Sequence, residues 1–211
     1  MASETENYLM HFARQGSAVW IAHLDLMRTF ERAALRAALP VVWSEGYNPR
    51  PELEFALPIG VGIEARMDPM RIGLETKTDD LDLRLNAVLP AGLSIVRAAP
   101  LQSGPKSLMS RVYAAEYEIC LNGIDCLLPV LSEADPLVVM KHGKRGSREI
   151  DLRPGIRSHR SSGDRCLTVL VDAGSKRNIR PDLLLTALSE RAGGGIDWRD
   201  AVIVRTAVCL D

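Results

Sequence analysis

Side chains able to bind a polar ligand are densest near the N-terminus, where His23 begins a predicted amphipathic helix that ends at about Leu39. The first-turn N–H groups of a helix favour an anion such as phosphate, and histidine as a residue type titrates near neutral pH. Asp25 and Arg28 follow in the first two turns. Two interpretations of His23 stay open: a partly buried residue bonded to a backbone carbonyl, or a ligand-binding residue at the rim of the helix.

A second polar segment, Ser44–Pro51, follows the short β-type run Val41–Trp43. Pro49 and Pro51 restrict the residues before them to extended conformations, and Gly46 permits a sharp reversal. A loop of this composition is stiff and is expected to present polar side chains to a ligand. The candidates are Ser44, Glu45, Asn48 and Arg50. A purely structural turn is the alternative.

The charge distribution indicates a further candidate region. The chain of 211 residues has a formal net charge of −1, which gives no general indication of nucleic acid or membrane binding. Residues 141–180, in contrast, contain 11 basic and 4 acidic side chains. At the tip of a predicted β-hairpin, four of them are candidates for binding RNA phosphates: Lys141, Lys144, Arg145 and Arg148. A solvated basic loop is the alternative interpretation.

The cysteines and histidines show no metal-ligand spacing. There is no CxxC or CxxxCxxC pattern, so we expect no zinc site, no iron–sulfur cluster and no bound cofactor. Cys120, Cys166 and Cys209 lie in apolar runs and are interpreted as buried free thiols, which fits a reducing cytoplasm. The sequence contains neither a nucleotide-binding glycine fingerprint nor a recognisable nucleophile–histidine–acid triad.

The targeting signals are equally sparse. Residues 1–6 are polar and acidic, with no apolar signal segment behind them. No run of about 18 apolar residues is present, so no transmembrane helix is expected. The sequence therefore predicts a soluble cytoplasmic protein.

Hydrophobic periodicity predicts an α+β fold made of two similar domains, 1–103 and 104–211. The first domain has the order strand, helix, strand, strand, helix, strand, which is that of the ferredoxin-like (split βαβ) fold with an antiparallel sheet. The second repeats the order and has a glycine run, Gly193–Gly195, before its last strand. The polar connector at 102–107 is the predicted boundary, and tandem ferredoxin-like domains are the predicted fold.

A long N-terminal run, HLDLMRTFERAALRAALPVVWSEGYNPRPELEFALPIGVG, resembles the signature of the radical-SAM-linked (radical-SAM-associated) bacterial family, a domain family of unknown function. The resemblance continues in EIDLRPGI (Glu149–Ile156) and around Val204–Thr206. It implies a partner, because family members are fused to, or encoded beside, B12-binding-type radical-SAM proteins, often near a ribonuclease of the E/G type. The family loop usually continues with His-Pro-Lys, where this chain has Arg50-Pro51-Glu52. Any catalytic role of that histidine is therefore lost here.

These observations favour an accessory protein of a radical-SAM enzyme system that binds or presents RNA (tRNA or rRNA) for modification or processing. A metal-independent endoribonuclease is the first alternative. CRISPR repeat-processing nucleases are similar in having tandem ferredoxin-like domains, a histidine near the first helix and a glycine-rich loop before the last strand, where this chain has His23 and Gly193–Gly195. A scaffold that binds only the radical-SAM protein is the second alternative.

Overall fold

The computed structural model describes residues 5–101, 107–143, 146–163 and 165–211. The chain divides into two compact units, Met1–Val112 with Leu210–Asp211, and Tyr113–Cys209. Each unit combines helices with antiparallel strands, which confirms the predicted α+β class. Most of the predicted connector, residues 102–106, lies outside the described residues, and the boundary between residues 103 and 104 stays a prediction.

The first unit follows the order strand, helix, strand, strand, helix, strand. Its elements are β1 (Glu6–Arg14), α1 (His23–Arg36), β2 (Leu53–Phe55), β3 (Ile63–Leu74), α2 (Leu81–Asn86) and β4 (Leu93–Pro100). In the sheet of this unit the strands lie in the order β4-β1-β3-β2, and each neighbouring pair is antiparallel. Because β1 alternates between buried and half-buried residues, one of its faces packs in the core.

The helix α1 buries the face that the periodicity predicts, including Leu26, Phe30 and Ala33. It ends at Arg36 rather than at about Leu39, because Ala38 adopts a left-handed backbone with φ 49°. The guanidinium of Arg84 on α2 donates hydrogen bonds to the carbonyls of Ala37 and Ala38 at 2.7 and 2.8 Å. Arg84 thereby satisfies the carbonyls of the two residues that follow α1.

All 3 phenylalanines of the chain pack together in the core of the first unit. The ring centroids of Phe12 and Phe30 are 5.2 Å apart, those of Phe12 and Phe55 5.3 Å, and those of Phe30 and Phe55 5.6 Å, all edge-on. Edge-to-face pairs contribute about 0.5–1.5 kcal/mol beyond their buried area. This phenylalanine cluster (Phe12, Phe30 and Phe55) joins β1, α1 and β2.

The second unit has a longer list of elements. They are β5 (Val112–Cys120), α3 (Leu127–Ser132), β6 (Val138–Gly143), β7 (Gly146–Asp151), β8 (Ile156–Ser161), β9 (Cys166–Asp172), α4 (Pro181–Arg191) and β10 (Val202–Leu210). The main strands lie in the order β10-β5-β9-β8, while β6 and β7 form a separate two-stranded sheet. No helix of the described residues is long and apolar enough to cross a membrane.

The hairpin formed by β6 and β7 extends further than the sequence predicts. Lys141 pairs with Arg148, so both lie within paired strands and not in a turn. Residues 144 and 145, the predicted tip positions Lys144 and Arg145, lie outside the described residues. The strand β8 is missing from the sequence-based prediction because its sequence, IRSHRS, is polar and has no clear apolar alternation.

The cysteines differ from the sequence-based prediction. Cys120 on β5 and Cys166 on β9 occupy directly opposite positions and form a disulfide, and both are only half-buried. Cys209 is a free thiol but is half-buried, and Cys126 is exposed. The prediction of buried free thiols at Cys120 and Cys166 is therefore wrong, because strand register brings together residues 46 positions apart. The inference of a reducing compartment loses the support of these two residues.

The disulfide is expected to be measurable by thiol counting. Protein purified without reductant and then denatured should react at Cys126 and Cys209 only, whereas all 4 cysteines should react after reduction. Peptide mapping should find the half-cystines at Cys120 and Cys166. Four reactive thiols before reduction would contradict the pairing, and Cys126→Ser serves as a control that removes one reactive thiol without touching the bridge.

Candidate functional site

His23 is the first residue of α1 and lies at the edge of the phenylalanine cluster. Its ring meets that of Phe55 edge-on, with a centroid distance of 5.5 Å, and the residue is half-buried. The N-cap residue, Ala22, supplies no side-chain hydrogen bond to the first turn of the helix. The apolar contact with Phe55 holds the imidazole in place, so packing is one demonstrated role of His23.

Asp25 and Arg28 form an ion pair on the exposed side of α1. The Arg28 Nη1 and Asp25 Oδ1 atoms are 3.0 Å apart, and both side chains are more than half exposed, at 54% and 63%. Exposed pairs of this kind contribute at most about 1 kcal/mol. Because Arg28 is already paired with a carboxylate, its charge is less available to an incoming anion than the sequence suggests.

The polar loop Ser44–Pro51 is closed by hydrogen bonds between its two ends. The Ser44 N–H donates to the Arg50 carbonyl at 2.8 Å, and the Arg50 N–H donates to the Ser44 hydroxyl at 3.1 Å. Trp43 and Pro51 form a further bridge at the base of the loop. Ser44 therefore acts as a clamp within the loop, while Glu45, Asn48 and Arg50 are exposed.

The polar loop and His23 contact the chain at opposite ends of β2. At the base of the loop, the Val42 N–H donates to the Gly73 carbonyl at 3.0 Å, and the Glu52 N–H donates to the Val42 carbonyl at 2.8 Å. Glu52 precedes β2, whereas Phe55, which contacts His23, is its last residue. The predicted site thus consists of two separately anchored parts.

A buried arginine, which the sequence analysis overlooked, positions the segment before α1. Arg14 is 0% exposed. Its guanidinium donates to the carbonyl of Ile21 at 3.1 Å, to that of Ile63 at 3.1 and 2.7 Å, and to that of Gly60. Ile21 precedes the first residue of α1 by two positions, so these bonds fix where the helix begins. The alternation of β1, which turns Phe12 inward, also predicts an inward Arg14.

His11 lies on the face of β1 that is opposite Arg14. Its Nδ1 atom is buried and has no hydrogen-bond partner among the described residues. Burial, reinforced by the positive charge of Arg97, lowers the pKa of His11, and Asp68 acts in the opposite direction. A group of this kind links the stability of the first unit to pH.

In the second unit, Lys141 and Arg148 face each other across β6 and β7 and form no ion pair with a described residue. Other arginines of the basic stretch are paired: Arg157 lies 2.7 Å and Arg177 lies 3.4 Å from Asp172. Arg153 donates instead to backbone carbonyls at the end of α3. The excess positive charge of residues 141–180 is therefore concentrated at fewer places than the composition suggests.

The glycine run Gly193–Gly195 ends α4, and its backbone N–H groups are largely used within the chain. The Gly194 N–H donates to the Ser189 carbonyl at 2.7 Å, the Gly193 N–H to the Glu190 carbonyl at 3.3 Å, and the Ile196 N–H to the Ser189 hydroxyl at 3.1 Å. All three glycines have positive φ. The run is a helix C-cap and offers few free donors to a phosphate.

An open cleft lies beside this cap, with a volume of about 410 Å³. Its lining includes Glu190, Asp197 and Trp198. Neither a histidine nor a cysteine lines it, and within the described ranges no group of three or more His, Cys, Asp or Glu residues is placed to hold a metal ion. The side chains that line the cleft carry carboxylate, hydroxyl, guanidinium and indole groups.

Comparison with known families gives a match that covers most of the chain. The model of the bacterial family described as "Uncharacterized protein conserved in bacteria (DUF2344)" matches residues 7–181. The chain belongs to the DUF2344 family. This agrees with the predicted bacterial domain family of unknown function, while the radical-SAM association stays a prediction. The matched range of the DUF2344 chain includes His23, the loop Ser44–Pro51 and the β6–β7 hairpin, and it ends before the Gly193–Gly195 cap. No curated protein matches the chain.

Replacement of Arg14 is expected to destabilise the first unit. Arg14→Met leaves the carbonyls of Ile21, Gly60 and Ile63 without their donor, which should lower the free energy of unfolding by about 2–4 kcal/mol. Urea denaturation followed by circular dichroism measures the change. Arg28→Met is the matched control and should change stability by at most about 1 kcal/mol, since it removes only an exposed ion pair. Equal losses in both variants would contradict a positioning role for Arg14.

The lowered pKa of His11 is expected to make the first unit less stable in mild acid. Below the unfolded-state pKa of 6.5, the unfolded chain binds more protons than the folded one. The contribution to stability is therefore complete above that pH and is lost as the pH falls towards the folded pKa. Proton NMR of His11 should give a midpoint below 6.5, and His11→Gln should reduce the loss of stability between about pH 7 and about pH 5. A midpoint at or above 6.5 would refute the assignment.

Proposed function

We propose that this DUF2344 protein is an accessory protein that binds RNA, tRNA or rRNA, and presents it to a radical-SAM enzyme for modification or processing. The observation that most directly supports RNA binding is the pair of cations, Lys141 and Arg148, which lie opposite each other on β6 and β7. Because RNA is the proposed ligand, we also propose a cytoplasmic location.

The two opposed cations destabilise the β6–β7 hairpin when no anion lies between them. Side chains directly opposite on antiparallel strands have Cβ atoms about 4.5–5.5 Å apart, and like charges there are destabilising. The same face of the hairpin continues with Val139 and Ile150 and carries no carboxylate at those positions. A phosphate bound between Lys141 and Arg148 removes the repulsion and gains two charge-assisted hydrogen bonds. The hairpin thus has more to gain from an anion than an ordinary solvated loop has.

The strand orders of the two units support the proposed tandem ferredoxin-like fold. In the first unit the strands lie in the order β4-β1-β3-β2, and in the second in the order β10-β5-β9-β8. When the four strands of each unit are numbered along the chain, both orders are fourth, first, third, second. The β6–β7 hairpin is then an insertion between the first helix and the second strand of the repeat. We propose that this insertion adapts the second unit to RNA. Fold analogy adds no further support for the function.

The radical-SAM partner is inferred from the resemblance of the His23–Gly62 segment to the radical-SAM-linked family. The observed role of the glycine cap, Gly193–Gly195, gives the endoribonuclease alternative less support, because the N–H groups of Gly193 and Gly194 already donate to carbonyls of α4. The protein-only scaffold is a possible outcome of the binding test. Association with the purified radical-SAM protein, together with no RNA affinity at low salt, would favour the scaffold.

Charge reversal in the hairpin is expected to weaken RNA binding and its salt dependence. For Lys141→Glu/Arg148→Glu, the slope of log K against log salt for a single-stranded RNA should become shallower by about 1.4, or about 0.7 per lost phosphate contact. Filter binding with a single-stranded RNA, and in parallel with bulk tRNA and rRNA fragments, across a salt series measures both the affinity and the slope.

The matched control is Arg32→Glu/Lys77→Glu, which changes the net charge by the same amount at exposed positions of the first unit. It should leave the slope close to that of the unmodified chain. The proposal fails if the two double variants behave alike, or if the unmodified protein binds none of these RNAs at low salt.

A further inference from the structure

The tip of the Ser44–Pro51 loop exposes an aromatic ring almost completely. Tyr47 is 99% exposed, and Trp43 at the base of the same loop is 46% exposed. Transfer of an aromatic ring out of water lowers the free energy, but the ring of Tyr47 stays in water in the folded chain. Burial on folding therefore does not explain an aromatic residue at this position. Single exposed apolar residues are common on protein surfaces, but two exposed rings, Trp43 and Tyr47, on one short segment are a candidate contact surface for another molecule.

The loop is prepared for such a contact before binding. Two hydrogen bonds between Ser44 and Arg50, and the bridge between Trp43 and Pro51, hold its ends together. A ligand that binds a preorganised loop avoids much of the entropy cost of ordering it. Tyr47 is thus presented by a closed loop.

The polar side chains around Tyr47 indicate the class of ligand. Within the described part of the chain, the side chains of Glu45, Asn48 and Arg50 take part in no hydrogen bond or ion pair. A carboxylate accepts from base amino groups, an amide bonds to the edge of adenine, and a guanidinium binds phosphate or guanine. Single-stranded nucleic acid is bound by a basic side chain that meets the phosphate together with aromatic rings on which bases stack, and Arg50, Tyr47 and Trp43 supply these groups.

We propose that this loop binds single-stranded RNA by stacking an unpaired nucleobase on Tyr47, with Trp43 as a second stacking surface. Asn48 and Glu45 contact the edge of the base, and Arg50 contacts its phosphate. Recognition of unstacked bases by aromatic rings is how proteins commonly select single-stranded RNA. The inference rests on the proposed RNA-binding function and adds to it a preference for unpaired segments.

The test compares a fluorescein-labelled 12-nucleotide single-stranded RNA of mixed A and U with a blunt duplex of the same length, using fluorescence anisotropy. Loss of base stacking in Tyr47→Ala should weaken binding of the single strand by about 5- to 150-fold. Binding of the duplex should change by less than about twofold, because its bases are not available for stacking. Tyr47→Phe, which retains the ring, should bind the single strand within about twofold of the unmodified chain.

Trp20→Ala is the matched control, because this tryptophan is 70% exposed but lies outside the loop. It should leave single-strand affinity unchanged. The salt slope should also be unchanged in Tyr47→Ala, which distinguishes loss of stacking from loss of the phosphate contacts at Lys141 and Arg148. The inference is overturned if Tyr47→Ala binds the single strand as the unmodified chain does, even when the hairpin variants lose affinity. Loss of binding to the radical-SAM protein alone would also overturn it, and would indicate a protein contact instead.

Discussion

The first unit depends on the hydrogen bonds of one buried guanidinium. Arg14 joins the end of β1 to Ile21, before α1, and to Gly60 and Ile63, before and at the start of β3. Backbone carbonyls that are removed from water need a donor, and a guanidinium is the side chain that can serve several in one plane. Arg14 thus substitutes for regular secondary structure at a place where three chain segments meet.

The position of the candidate site follows from this arrangement together with the phenylalanine cluster. Arg14 sets where α1 begins, and Phe55 gives the ring of His23 its contact. The polar loop is held independently, through Val42, Gly73 and Glu52 at the sheet edge. One part of the predicted site is therefore shaped by the core, whereas the other is shaped by local hydrogen bonds and is open to solvent.

How much could be predicted from the sequence depended on the range of the interactions involved. Local periodicity was sufficient for β1 and α1, because each of these elements shows its buried face in its own residues. Strand β8 has a polar sequence, so pairing with β9 decides its conformation. The register between β5 and β9 places Cys120 opposite Cys166. Contacts between residues distant in the sequence also anchor His23 and the polar loop separately. The sequence does not show that the ring of Tyr47 is exposed, because the same residue type is buried at Tyr8 and Tyr117. Its exposure, which makes it a candidate binding residue, is known only from the structure.

The disulfide has a consequence for the basic region. The bond between Cys120 and Cys166 makes a covalent ring of everything between them, and that ring contains α3, both strands of the basic hairpin and β8. In the chain-entropy treatment, closing a ring of this size removes about 4 kcal/mol of conformational entropy from the unfolded state. The oxidation state of two residues therefore sets how readily the whole hairpin-bearing segment unfolds, whereas the polar loop of the first unit lies outside the ring and is not subject to this constraint.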